Sequence, residues 1–226
     1  MAGLINIVLR VGAGVMGIYI ILNQSDPRFV DKGLGWNAVV IMGIFSLLFP
    51  FFHFVVKEWY EYPLGYDNLY LSIFFINYLG NIFGWYDNFQ YFDKIPHFHS
   101  PGVLAIMMRG AFQQNWTSAW GLSNTIHILH EGQESFADRF KGTHLVTGPN
   151  DTVTDLLIGA VGGLLYLGIF YVLLRGKPDW DLRRRRDVER EREEARVRDQ
   201  GEAPAQHRPA LWPSPSHGRR SGPGIL

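Results

Sequence analysis

The chain has 226 residues, 47% of them hydrophobic, and its 21 basic and 21 acidic side chains cancel to a formal charge of zero. Zero net charge argues against a nucleic-acid-binding surface. The lack of cysteine excludes disulfides, thiolate nucleophiles and cysteine-ligated zinc or iron–sulfur centres.

A mean hydropathy of −0.02 averages two unlike parts. Charges are sparse before Arg175 and crowd together from Arg183 to Asp199. A bilayer core takes roughly 20 mostly apolar residues per helical crossing, and six segments approach that length. Leu4–Leu22 is the first, broken only by Arg10. It lacks the basic start of a signal peptide and reads as a retained span. Asn23–Gly35 is a loop rich in turn formers, and Trp36–Val56 is a second, uncharged span. Lys57–Gly65 mixes charge with aromatics, as loops near headgroups do. Tyr66–Tyr86 is the third span, with Asp67 at its edge. Ile95–Phe112, carrying His97, His99, Pro101 and Arg109, is the fourth, and Trp116–Ala137 the fifth. Val153–Leu174 is the sixth, and its Gly159, Gly162, Gly163 and Gly168 predict close helix packing.

The expected fold is therefore all-α, a polytopic membrane bundle of about six helices. It has a transmembrane domain over 1–176, a charged helix-like extension over 177–200 and a disordered tail over 201–226. The Arg183–Arg186 cluster, set close behind the last span, places the C-terminus in the cytoplasm. Six crossings then put the N-terminus there too. Arg10 falls in the cytoplasmic half and is expected to snorkel.

This topology brings three separate polar stretches to the outer face. In the first, Asp93 and His97 are four residues apart and share a helical face, although Asp93 also suits a helix cap. In the second, Trp120, Asn124, His127, Glu131, Glu134 and Asp138 recur at steps of three and four, with His130 beside them. A polar stripe on a membrane helix faces a bundle interior or a wet cavity. The alternative is a helix lying in the interface with these groups in water. His127, His130, Glu131 and Glu134 have the spacing of divalent-metal ligands, but lack the two-histidine zinc-protease pattern. In the third, capping accounts for Asp151 but not for Asp155, one turn further in. Asp155 calls for a partner such as a histidine, Lys94, a metal or a shared proton.

Taken together, Tyr91-Phe92-Asp93-Lys94-Ile95-Pro96-His97-Phe98, then Glu131-x-x-Glu134, then Asp151-Thr152-x-x-Asp155 ahead of an apolar helix, resemble a known pattern. The pattern is that of the YjdF-like bacterial inner-membrane proteins. It is more distantly similar to VanZ-like proteins, which share the Asp-x-x-x-His-Phe and Asp-plus-apolar-helix layout. The resemblance covers roughly Tyr66–Leu174 and implies a compact multi-helix domain in the inner membrane. YjdF-like proteins place aromatics around the paired glutamates, where this chain has His127, His130 and Gln133. VanZ-like members are associated with glycopeptide-antibiotic resistance.

Three functions fit these residues. The first is an enzyme acting on a lipid or lipid-linked envelope precursor, with a site of Asp93, His97, Glu131, Glu134, Asp151 and Asp155. In it, His97 or Glu131 serves as general base and a divalent metal activates water. The second is an envelope binding or scaffold protein whose polar groups hold the bundle together. The third is a small proton-coupled carrier.

Overall fold

The computed structural model describes residues 1–56, 62–146, 148, 150–174 and 182–199. Among these residues the protein is helical and has no strand. All six segments expected to span are helical. They are α1 (Ala2–Leu22), α3 (Trp36–Ser46) with α4 (Leu48–Phe51), α5 (Leu64–Ile82), α7 (Lys94–Gly110), α8 (Trp116–Lys141) and α9 (Asp151–Ile169). Short helices α2 (Pro27–Val30) and α6 (Trp85–Asn88) lie in the connections. The charged stretch forms α10 (Leu182–Asp199). The expected disordered tail, 201–226, lies outside the described residues.

Two helices are long and apolar enough to cross a membrane, Ala2–Leu22 and Asp151–Leu173. A third crossing results if Ala38–Ser46 and Leu48–Val55, bent by 44°, count as one span. Pro50 explains the bend. It has no N–H to give the Ser46 carbonyl, and its ring crowds that carbonyl. The freed Ser46 oxygen accepts instead from Arg10 Nη1 at 3.0 Å. α5, α7 and α8 are more polar than α1 and α9, because they carry the side chains that meet inside the bundle. α1 and α9 turn Leu4, Val8, Val11, Val15, Val161 and Leu165 outward. Apolar surface that continuous marks contact with lipid or protein.

The bundle has two parts joined through α5. α1 and α3 pack on α5 around Ile20, Phe29, Val39 and Tyr78. α7, α8 and α9 pack on one another, with Ala105, Ala119 and Leu167 at their centre. Phe49, Tyr66, Tyr70, Val103, Ile106, Met107 and Phe170 tie α5 to α7 and to the end of α9. The glycines of α9 act as expected. A Cβ at Gly159 would strike His127 and Pro101, one at Gly162 would strike the Phe98 carbonyl, and one at Gly163 would come within 3.0 Å of the Trp120 indole. Gly168 differs, with nothing within 4 Å of its Cβ position.

Arg10 does not simply snorkel. Its Nη2 lies 2.7 Å from Asp67 Oδ2, and Asp67 is fully buried. Asn6 Nδ2 and the Tyr62 hydroxyl donate to the same oxygen, each at 2.6 Å. α1 is thus fastened to α5 by an ion pair of a buried Asp67 and a partly buried Arg10, at the end of the bundle away from His97.

After α8 the chain turns through Gly142, whose φ of 69° is left-handed and suits glycine. Asp138 then organises the following loop. It accepts from the Leu145 and Val146 backbone N–H groups, both at 2.8 Å, and from the Thr143 hydroxyl at 2.7 Å. Burial works to raise the Asp138 carboxyl, but these three hydrogen bonds outweigh it and hold the group below its ordinary range. A depressed folded pKa gives stability that is present above the unfolded value and lost as pH falls through the folded one. Asp138→Ala is therefore expected to cost about 1 kcal/mol at neutral pH, since water can replace part of what these hydrogen bonds contribute, with the difference from wild type closing in acid. Thermal melts between pH 7 and pH 3 check this, and a difference that does not shrink with pH contradicts it.

Candidate functional site

The site is built at one end of α7, α8 and α9. α7 begins at Lys94, with Asp93 as the capping residue. The Asp93 side chain makes no capping hydrogen bond. It is drawn instead to the next turn, where Asp93 Oδ1 lies 3.3 Å from His97 Nε2. One turn beyond His97, Pro101 has no N–H to donate to the His97 carbonyl.

α8 supplies the second wall. Ala119, Ser123, His127 and Glu131 are its buried line, flanked by partly buried Trp120, Asn124, Glu134 and Asp138. The stripe faces α7 and α9, as expected of polar groups that seek a bundle interior. Leu122, Ile126 and Leu129 occupy the opposite side. α9 closes the third wall, where Gly159 lets the His127 ring lie against the backbone.

Three atoms meet in the middle. His97 Nδ1 is 3.0 Å from His127 Nε2 and 3.0 Å from a Glu131 oxygen, Oε1. His127 Nε2 is 3.3 Å from the same Oε1. All three residues are buried, with Glu131 3% exposed.

Lys94 organises the rim. Its ammonium lies 2.7 Å from Asp151 Oδ1, 2.7 Å from Asp155 Oδ1 and 3.3 Å from Asp93 Oδ2. Partial burial pulls the Lys94 pKa down, but the hydrogen bonds to Asp151 and Asp155 win and hold it above the ordinary lysine range. Lys94 is thus the partner that Asp155 requires. The two features connect, because Asp93 touches both Lys94 and His97.

The residues singled out in the sequence converge in large part. Asp93, His97 and Glu131 form one continuous set of contacts, and Asp151 and Asp155 join it through Lys94. Glu134 stands beside it, with its Oε1 3.4 Å from His130 Nδ1. The predicted metal-ligand set on α8 divides. His127 pairs with Glu131 and His97, whereas His130 groups with Glu131 and Glu134. A third grouping able to hold a metal is Asp93, His97 and Asp155.

Lys94, His99 and Arg10 lie outside the predicted site, and each has a defined place. His99 bridges three helices, with Nε2 2.8 Å from Ser72 Oγ and Nδ1 2.7 Å from the Tyr166 hydroxyl. Nothing local in the sequence marks that bridge, since its partners lie 27 and 67 residues away. Lys94 was legible as the cation nearest three acids expected at one membrane depth.

No family model, curated protein or solved structure matches this chain. The resemblance to YjdF-like and VanZ-like proteins rests on the three motifs alone, and the functional reading rests on the site.

Proposed function

We propose that the protein is an integral membrane enzyme that acts on a lipid or lipid-linked envelope precursor, with a divalent metal ion assisting at the His/Asp/Glu cluster. On this reading all six helical segments cross the inner membrane and both ends of the chain face the cytoplasm. The cluster then lies just below the outer surface. The YjdF-like resemblance fits such a domain.

One observation supports the reading above the others. Two imidazoles and a carboxylate from two helices, all buried, turn their polar atoms toward a common point. Buried polar groups are costly in a bilayer and mark functional sites there. A bound divalent ion would act as a Lewis acid on an ester or phosphoryl oxygen and activate water. The protein's own groups divide the remaining work. Asp93 fixes the ring orientation of His97. Glu134, next to the cluster but turned to His130, is placed to take a proton from water. Lys94 balances the charge of the rim carboxylates.

Single alanine substitutions at Asp93, His97, Glu131 and Glu134 are expected to abolish complementation of a deletion strain while leaving membrane insertion intact. Full complementation by these variants overturns the enzyme reading. The scaffold reading is favoured by the Lys94 cluster, in which acids and base already satisfy one another. It requires the same variants to lose thermal stability in detergent, with no dependence on added metal.

A further inference from the structure

A hydrogen bond joins His97 to His127, but hydrogen bonds cannot close all three edges of the His97, His127 and Glu131 triangle at once. The three facing atoms lie 3.0, 3.0 and 3.3 Å apart, so every pair is in contact. An imidazole nitrogen is either a donor or an acceptor, never both. One proton on the pair of nitrogens leaves a lone pair facing the carboxylate or the other ring. Two protons leave the nitrogens opposed as donors. In every protonation state at least one edge of the triangle is unbonded. Glu131 Oε1 shows this directly. It is buried and has no hydrogen-bond partner of acceptable geometry, although both nitrogens lie within 3.3 Å.

A cation resolves the conflict, because all three atoms can present lone pairs to it. Zinc–ligand bonds of about 2.0–2.1 Å in tetrahedral geometry set ligand atoms roughly 3.3 Å apart. An ion bonded to this triangle at that length would sit about 1 Å above its plane. The outer nitrogen of His97 faces Asp93 Oδ1 at 3.3 Å. Carboxylates commonly hold a metal-bound histidine in this way.

We propose that His97 Nδ1, His127 Nε2 and Glu131 Oε1 are the three protein ligands of one divalent cation of the zinc class. His130 and Glu134 lie outside the ligand set. Two imidazoles and one carboxylate suit zinc better than magnesium or calcium, which take mostly oxygen ligands. The other two groupings are poorer. Lys94 already places an ammonium 2.7 Å from Asp155 and 3.3 Å from Asp93. His130 is exposed, and its grouping shares Glu131 with the triangle. This inference deepens the proposed function and rests on its placing a metal in the cluster.

The test uses full-length protein in detergent, stripped with a chelator and titrated with zinc against a chromogenic competitor. Elemental analysis after dialysis gives the stoichiometry. The expected result is one zinc per chain, a tetrahedral spectrum on cobalt substitution, and loss of stoichiometric metal in His97→Ala, His127→Ala and Glu131→Gln. His130→Ala and Glu134→Gln retain wild-type affinity. Asp93→Asn weakens binding by about 10–100-fold. The retained variants and the wild-type cobalt spectrum keep the test decisive if an alanine variant fails to fold. Absence of stoichiometric zinc from the wild type overturns the inference, and so does loss of metal in His130→Ala and Glu134→Gln to the same degree as in His97→Ala. The two readings fail separately. If zinc is absent and the alanine variants lose complementation while keeping wild-type thermal stability, the metal centre falls and a metal-free enzyme stands. If zinc binds as described and those variants complement, the metal centre stands and the enzyme falls.

Discussion

Arg10→Leu is expected to destabilise the protein by about 3–5 kcal/mol, the usual consequence of leaving one member of a buried ion pair without its partner. Asp67 is fully buried, and the Arg10 guanidinium lies 2.7 Å from it. Asn6 and Tyr62 donate to the same oxygen but bring no charge. The substitution also strips the Ser46 carbonyl of the donor that compensates for Pro50. Replacing both charged groups, Arg10→Leu with Asp67→Leu, is expected to recover much of the loss, because desolvation of two charges offsets most of what their pairing contributes. Thermal melts in detergent, followed by tryptophan fluorescence, measure both. A cost below about 1 kcal/mol for Arg10→Leu shows that Asp67 does not depend on it.

The second large effect is expected at Lys94. Lys94→Met leaves Asp93, Asp151 and Asp155 gathered around a methyl group, and Asp155 is only 2% exposed. The cost is expected at about 2–3 kcal/mol, less than at Asp67 because Asp93 and Asp151 keep more contact with water than Asp67 does. Removing Asp155 as well is expected to restore part of the stability, giving a coupling energy of about 1–3 kcal/mol in the double-mutant cycle. The raised Lys94 pKa fixes the sign of the pH dependence. A lysine whose folded pKa lies above its unfolded value contributes fully below the unfolded value, about 10.4, and loses the contribution only at higher pH. The wild-type advantage from this lysine should therefore be flat from pH 6 to 9. Additive effects of Lys94→Met and Asp155→Leu contradict the pairing.

The positions of the helices were legible because apolar length is a local property. The bend between Ser46 and Leu48 breaks the single span expected over Trp36–Val56, and Pro50 gives its cause. Convergence of Asp93, His97, Glu131 and Asp155 was also legible. It required only that alternate loops share a membrane face and that buried acids need partners. Local periodicity could not identify which groups close on one another. Spacings of three and four residues single out His127, His130, Glu131 and Glu134 because they share one helix. In space, His97 from α7 displaces His130 and Glu134 from the company of His127. Arg10 and Asp67 illustrate the same gap. Each stands out as a charge in an apolar segment, yet their pairing links positions 57 residues apart.

The account depends most on α7 and α8 holding His97 and His127 face to face. Because the chain has no cysteine, engineered pairs can be cross-linked without background. His97→Cys combined with His127→Cys should be joined rapidly and nearly completely by a short bifunctional methanethiosulfonate in native membranes. His97→Cys combined with Leu129→Cys, whose second position faces away from the seam, should not be joined. Failure of the first pair under conditions that label both thiols singly, or equal yields from the two pairs, would contradict the convergence on which the site is built.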